Sequence, residues 1–463
     1  MHVAAIMVFE GERPDYADLL RHVETRLHLV PRYRQKLAFV PYGQGRPKWV
    51  DDPHFNLRYH VRHTALPRTG TDAELKRLAG RLFAQPLDRH KPLWELWLVE
   101  GLDRDRFAVL SKTHHALVDG VSGVDIASVL FDAAAEPSEP IDPPPAWVAR
   151  PEPSASELLA ESLLERATVP AEVVRGLRAL TRAPRQAVAK VAEAAAGVGA
   201  LAWAGVHPAP PSCFNVDIGP HRRYTWVETD LDRFKAIKNG LGGTLNDAVL
   251  AAVTLALGAF LRQEGQDTSE LVLKAMVPVS VRVDAERGAL GNRVAAMYAP
   301  LPVGLTDPTE VFAAVHAEMG QLKHSGQAVG AQRLTEIADF APTTIMSQAA
   351  RLQARQRLFN LVVTNVPGPQ VPLYLLGRPL AGLYPVVPLA QRQALGIAIM
   401  SYHGRLAFGL MGDFDAMPHI EELGRDLERA IDSLAVAAGV PGPRGPARAS
   451  RSRRPRETTG AAT

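Results

Sequence analysis

At 463 residues the chain is long enough for two or three domains, and 46% hydrophobic with 22% charged residues describes a soluble globular protein with sizeable cores. The net charge of +3 sits at one end. Between Pro441 and Thr463, six arginines (444, 448, 451, 453, 454 and 456) face one acid, Glu457, so the rest of the chain carries about −2, which argues against a nucleic-acid-binding body. The single cysteine, Cys213, excludes an internal disulfide framework and fits a reducing, cytoplasmic compartment; it reads as a buried thiol rather than a nucleophile.

In chain order, residues 1–9 read as a strand, and Tyr16, Leu19, Leu20, Val23 and Leu27 follow at helical spacing until Pro31. The segment 51–67 carries His54, His60 and His63. No cysteine or carboxylate spacing supports a metal site there, so surface or strand histidines are expected. A second amphipathic helix through Leu75, Leu78, Ala79, Leu82 and Phe83 ends before Pro86, and residues 91–100 form a strand.

Residues 106–113 then read as a strand that ends on His114-His115-Ala116-Leu117-Val118-Asp119-Gly120. Asp119-Gly120 is expected to turn into a helix over Val121–Phe131. In a strand, neighbouring residues face opposite ways, so one histidine is expected to serve chemistry and the other to pack.

Seven prolines between 136 and 153 mark a linker, and residues 156–199 are Ala-rich and helical in propensity. Arg175, Arg178, Arg182, Arg185 and Lys190 share much of one face; they could lie on a membrane surface, or on a solvated crossover helix. The Arg-rich tail is expected to be disordered. No secretory signal is visible, and the uncharged window 194–206 is shorter than the ~20 residues a bilayer needs.

A second body begins near Cys213. Strands are expected over 223–231, 271–281, 294–303, 358–363, 383–387, 394–401 and 405–411, with helices over 230–239, 310–323, 332–353 and 419–438. Thr244 is expected to cap a helix through Leu261 that has Asn246 and Asp247 in its first turn and is buried nearly all round. Strands and helices without regular alternation predict an α+β fold. The domain reading is 1–135, a linker and crossover over 136–211, a second domain over 212–440, and the tail 441–463.

A histidine at a strand end, followed four residues on by Asp, suggests a general base held in position. No nucleophile elbow and no credible cysteine nucleophile accompany it, so an activated acceptor attacking a pre-activated substrate directly is the chemistry implied. Asp119 could act on the histidine or pair with an arginine such as Arg282; the structural role is favoured. No phosphate loop, dinucleotide fingerprint or metal set is present in the sequence.

His114-His115-x-x-x-Asp119-Gly120 resembles the signature of the chloramphenicol acetyltransferase-like superfamily. With Pro92-Leu93-Trp94, Asn246-Asp247, Pro278-Val-Ser280-Val-Arg282 plus Gly291-Asn292, and Asn365-Val-Pro-Gly-Pro369, the ordered set resembles the bacterial wax ester synthase/diacylglycerol acyltransferase family, covering residues 1 to about 438.

That resemblance implies two similar domains face to face with a tunnel between them. Acyl-CoA would enter one side as co-substrate, with no cofactor, and diacylglycerol or a long-chain alcohol the other. It implies His115 as the base, His114 and Asp119 as supports, and Gly120 as a point of close backbone approach. Asn246, Asp247, Ser280 and Arg282 would bind substrate or organise the cleft wall. Pro92-Leu93-Trp94 would serve packing or the acyl channel. Contact with a membrane or lipid inclusion is compatible with it. Family members carry a short segment before Met-His-Val, where this chain begins, so a missing first element is expected. The alternatives are a superfamily relative acylating another hydroxyl or amine acceptor, and a non-catalytic lipid-binding relative.

Overall fold

The structure is a computed structural model that describes residues 2–43, 45–118, 130–136, 147–164, 208–280, 294–324 and 357–440. Asp119, Gly120, Arg282, Gly291, Asn292, the basic face Arg175–Lys190, the expected helices over 121–129 and 332–353, and the tail lie outside the described residues.

The first half opens with β1 (His2–Glu10) and α1 (Tyr16–Arg26), then the hairpin β2 (Gln35–Ala38) and β3 (Lys48–Asp51). There follow α2 (Leu57–His60), β4 (Val61–Ala65), α3 (Asp72–Ala84), β5 (Trp94–Leu102), β6 (Arg106–His114) and α4 (His115–Val118). A helix over 155–164, α5, packs Leu158 onto Ala38 and Val50 of the hairpin. The second half contains β7 (Arg222–Asp230), α6 (Leu231–Leu241), α7 (Leu245–Gln263), β8 (Val272–Ser280), β9 (Val294–Pro302) and α8 (Pro308–His324). It closes with β10 (Leu361–Val366), β11 (Tyr374–Leu375), β12 (Arg378–Val386), β13 (Leu395–Tyr402), β14 (Arg405–Asp413) and α9 (Ile420–Ala437).

Two six-stranded sheets organise these elements. The first runs β11-β12-β1-β6-β5-β4, and the second β7-β14-β13-β10-β8-β9. Both mix parallel and antiparallel neighbours: β4–β5, β10–β13 and β10–β8 are the parallel pairs. The α+β expectation therefore holds. Position in the chain and position in space part company at 374–386. That stretch lies within the second half, yet Ala4 to Phe9 pair antiparallel with Val386 to Leu380 in the first sheet.

The central strands β1 and β6 of the first sheet are apolar through their middles because both their faces are covered. Met7, Phe9, Phe107 and Val109 face one core with α1 and Trp94, while Ile6, Val8, Ala108 and Leu110 face a second core. That second core contains Leu75, Leu78 and Ala79 of α3 together with Tyr224, Ala407 and Met411 of the other sheet. Burial of these alternating sets, each side chain contributing ~1.5–3 kcal/mol, fixes the register, since a slip of one residue would exchange the two faces.

The second sheet packs its other face on α6 to α9. Among the described residues only α7 is long and apolar enough to cross a membrane, and its residues 247–258 are instead buried, nearly all of them apolar and packed in this core.

One expectation is corrected. His60 is neither a surface nor a strand histidine: it ends α2, is 1% exposed, and lies 4.7 Å from Trp94, ring on ring. The end of the Pro-rich stretch is fastened to the first half: the Arg150 guanidinium and backbone N–H both reach Asp51 and Trp147 meets Phe55 edge-on. No group of three metal-ligating side chains occurs among the described residues.

Candidate active site

β6 delivers the two histidines, and a backbone hydrogen bond from His114 N–H to Leu93 O (2.9 Å) secures its end. Leu93 and Trp94 are themselves anchored: both are 1% exposed, and the Trp94 indole N–H donates to Tyr33 O at 2.8 Å. The Pro92-Leu93-Trp94 motif thus holds the end of the histidine strand, a packing role.

The two histidines part differently from the strand alternation expected. His114 is the last residue of β6 and His115 the first of the helical turn α4, so the chain leaves the strand between them. His114 continues the face of Ala108, Leu110 and Lys112 that looks toward the second sheet. Its Nδ1 accepts from Ala116 N–H at 3.2 Å, and its ring meets His2 edge-on at 5.7 Å. Burial lowers the basicity of His114, with Arg89 and His115 adding to the effect. Burial lowers His2 further, to about 3.

Lys112, two residues before His114, is 1% exposed. Its ammonium donates to Leu82 O (3.0 Å) and Gln85 O at the C-terminus of α3, and lies 4.0 Å from Glu95. The terminal carbonyls and the helix dipole there favour a cation. Sequence reading missed this residue; its signal was a lone charge inside the apolar run 107–113.

Near this corner a cavity of about 210 Å³ opens between the sheets, lined by His2, Phe83, Pro86, Arg222, Leu389 and Met411 among others. A second cavity of about 450 Å³ lies at the carboxyl ends of the parallel strands β8, β10 and β13. It is lined by Thr244, Asn246, Pro278, Met319, Asn365 and Ser401, with Leu245, Val277, Pro367 and Leu406 supplying apolar wall. Three motifs far apart in sequence converge here: Asn246, the strand ending in Ser280, and the Asn365–Pro369 loop. His115 is not part of this lining.

Asn246 and Asp247 separate in role. Asn246 faces the cavity, whereas Asp247 is 1% exposed and closes the capping box of α7, accepting from Thr244 N–H at 2.8 Å and from His316 Nδ1 at 2.7 Å. Ser280 ends β8, its backbone in register with Val294.

The loop after Asn365 is held by Ser401, whose hydroxyl accepts from Gly368 N–H at 3.2 Å. A Cβ on residue 368 would come within 2.1 Å of Ser401 O, so only glycine fits. Cys213 is partly buried and its thiol is pushed up to about 11, which keeps it protonated and inert.

Residues 1–249 match the family described as wax ester synthase/diacylglycerol acyltransferase catalytic domain, and residues 290–435 match its C-terminal domain. Two probable diacylglycerol O-acyltransferases of Mycobacterium tuberculosis are 34% and 35% identical, over 94% and 95% of this chain and 91% and 96% of theirs. A solved wax ester synthase/diacylglycerol acyltransferase from Marinobacter aquaeolei superposes with a TM-score of 0.65 at 27% identity, over 95% of both chains. A condensation domain of the calcium-dependent antibiotic synthetase (TM-score 0.55, 16% identity, 94% of this chain and 91% of that one) shares the fold.

Proposed function

Since the chain belongs to the wax ester synthase/diacylglycerol acyltransferase family and is an O-acyltransferase, we propose that it transfers the acyl group of acyl-CoA to the hydroxyl of diacylglycerol, and to long-chain alcohols, with His115 as the base. The observation that carries this is the placing of the histidine pair at the end of β6, where His114 meets His2 of the inter-sheet cavity's wall, in a protein whose second sheet opens an apolar cavity at its strand ends.

The imidazole of His115 takes the acceptor's proton as the hydroxyl oxygen attacks the thioester carbonyl. A C–O bond forms, the C–S bond breaks, and the proton passes from the imidazolium to the departing CoA thiolate. No covalent acyl-enzyme and no cofactor enters this scheme. His114, rendered a poor base by burial, holds the turn through Ala116 N–H. Asp119 and Gly120 retain the supporting roles the motif implies, and Asn246, Ser280 and Arg282 serve substrate binding. The apolar cavity, within the ~300–1,000 Å³ range of small-molecule sites, suits a hydrocarbon chain. Acceptors and products insoluble in water place the reaction at the boundary between cytoplasm and a membrane or lipid inclusion.

The test is CoA thiol release from palmitoyl-CoA with diacylglycerol against hexadecanol as acceptor. Acceptor-dependent release supports the assignment, and its ratio names the product. Absence of release with either acceptor from folded protein rejects it.

A further inference from the structure

Helix α8 turns Phe312, His316 and Met319 to one side, at the spacing i, i+4, i+7. Each meets the start of α7 or the cavity beside it. Phe312 packs under Gly243, where a Cβ would come within 2.6 Å of its Cζ. Met319 lines the 450 Å³ cavity. His316 lies between them, its ring parallel to that of Phe312 with centroids 6.4 Å apart, and its Nδ1 is 2.7 Å from Asp247 Oδ2. A carboxylate only accepts, so the imidazole donates.

The capping box of α7 does not by itself call for this histidine. Thr244 N–H donates to Asp247 Oδ2 (2.8 Å), and Asp247 N–H returns to Thr244 Oγ1 (3.3 Å). What His316 adds is a side-chain partner for a carboxylate that is 1% exposed and whose Oδ1 is buried with no hydrogen bond among the described residues. Losing that donor leaves a buried acid held by backbone alone, which pulls it toward water. Asp247 is the neighbour of Asn246, on one wall of the cavity, and His316 stands one turn from Met319, on the other.

We propose that His316 is a positioning residue: by holding Asp247 it fixes Asn246 on α7 against Met319 on α8, and so sets the width of the cavity that receives the lipid chain. This rests on the reading that the cavity holds such a chain.

The full chain is tested as His316→Phe, which keeps the ring on Phe312 but has no donor, and as His316→Asn, whose amide N–H can reach the same carboxylate. CoA release is followed against acceptor concentration and across acyl chains of increasing length. His316→Phe is expected to raise KM about tenfold with kcat within about threefold, and to flatten the chain-length profile, the signature of lost binding rather than lost chemistry. His316→Asn is expected to restore KM to within about threefold of the unsubstituted enzyme. Amide exchange at 244–248 should rise in His316→Phe and fall back in His316→Asn.

Unchanged KM and exchange in His316→Phe overturn the proposal. So does a His316→Asn variant no better than His316→Phe, and so does a fall in kcat alone. Should the phenylalanine variant not fold, His316→Ala against His316→Asn decides by the same criteria. If the unsubstituted protein transfers no acyl group, the functional reading has failed, and exchange at 244–248 still decides the tie between the helices.

Discussion

The indole of Trp226 and the phenol ring of Tyr384 stack 4.3 Å apart and 18° from parallel across the gap between the two sheets. Trp226 belongs to the edge strand β7 of the second sheet, and Tyr384 to β12 of the first. Around this stack, Tyr384 Oη donates to Glu228 Oε2 at 2.8 Å, Arg405 pairs with the same carboxylate, and the Lys76 ammonium sits 4.4 Å over the indole. Burial and the Glu228 charge hold the Tyr384 hydroxyl protonated far above the usual tyrosine range, so this donor persists at any working pH. Tyr384→Ala removes ring and donor together and is expected to cost ~3–5 kcal/mol in urea unfolding, as large buried aromatics do. A cost under ~1 kcal/mol would show that the seam is held elsewhere.

His115→Ala should lower kcat by about 10²–10⁴-fold, the range a general base contributes, while the thermal transition stays in place. Retained turnover removes His115 from the role of base.

Gly368→Ala should lower stability by ~1–3 kcal/mol through the clash with Ser401 O and displace the Asn365 loop from the cavity, raising KM. Identical melting and kinetics in the variant would contradict the close approach.

His60 should contribute to the acid limb of stability, beside His2. Burial lowers its pKa to about 4, against ~6.5 unfolded. Over that window the unfolded chain binds the extra proton. Stability is therefore full above about pH 6.5, declines as pH falls toward 4, and levels below, a loss of about 3 kcal/mol if this group acts alone. His60→Gln should flatten that limb in urea titrations at pH 7, 5 and 4; a limb of unchanged depth would assign it to other groups.

Cys213, pushed up to about 11, should react with iodoacetamide far more slowly at pH 8 than a free thiol, and Cys213→Ala should retain full transfer. Loss of activity in that variant would bring the thiol into the chemistry.

Element existence was legible wherever the apolar period was strong. β1, α1, α3, β6 and α7 start and stop within a few residues of expectation, because one face or both had to be buried. The Thr244 cap was readable from its place between the Gly242-Gly243 turn and the apolar run. Three things were not. The pairing of β12 with β1 depends on contacts between residues 4 and 386, which leave no local signal. The helical turn that begins at His115 itself has no breaker or cap residue to mark it, and the His114 N–H just before it is held by Leu93 O. Asn246 and Asp247 read as one motif, yet neighbouring helix residues point about 100° apart, so one reaches the cavity and the other the cap. His316, invisible as an isolated histidine on a helix, gained meaning only beside Asp247.

The late arrival of β12 has a consequence for how the protein is made. β1 and β6 can pair once His114 has been synthesised, but the other edge of β1 stays open until Val386 has followed. At ~5–20 residues per second that interval is roughly 15–50 s, during which an apolar strand exposes unpaired N–H and C=O groups. Nascent chains of this protein should therefore depend on a holdase that covers that edge. A fragment ending at residue 249 carries the whole catalytic-domain match yet lacks the strand that completes its sheet, and it should aggregate rather than fold.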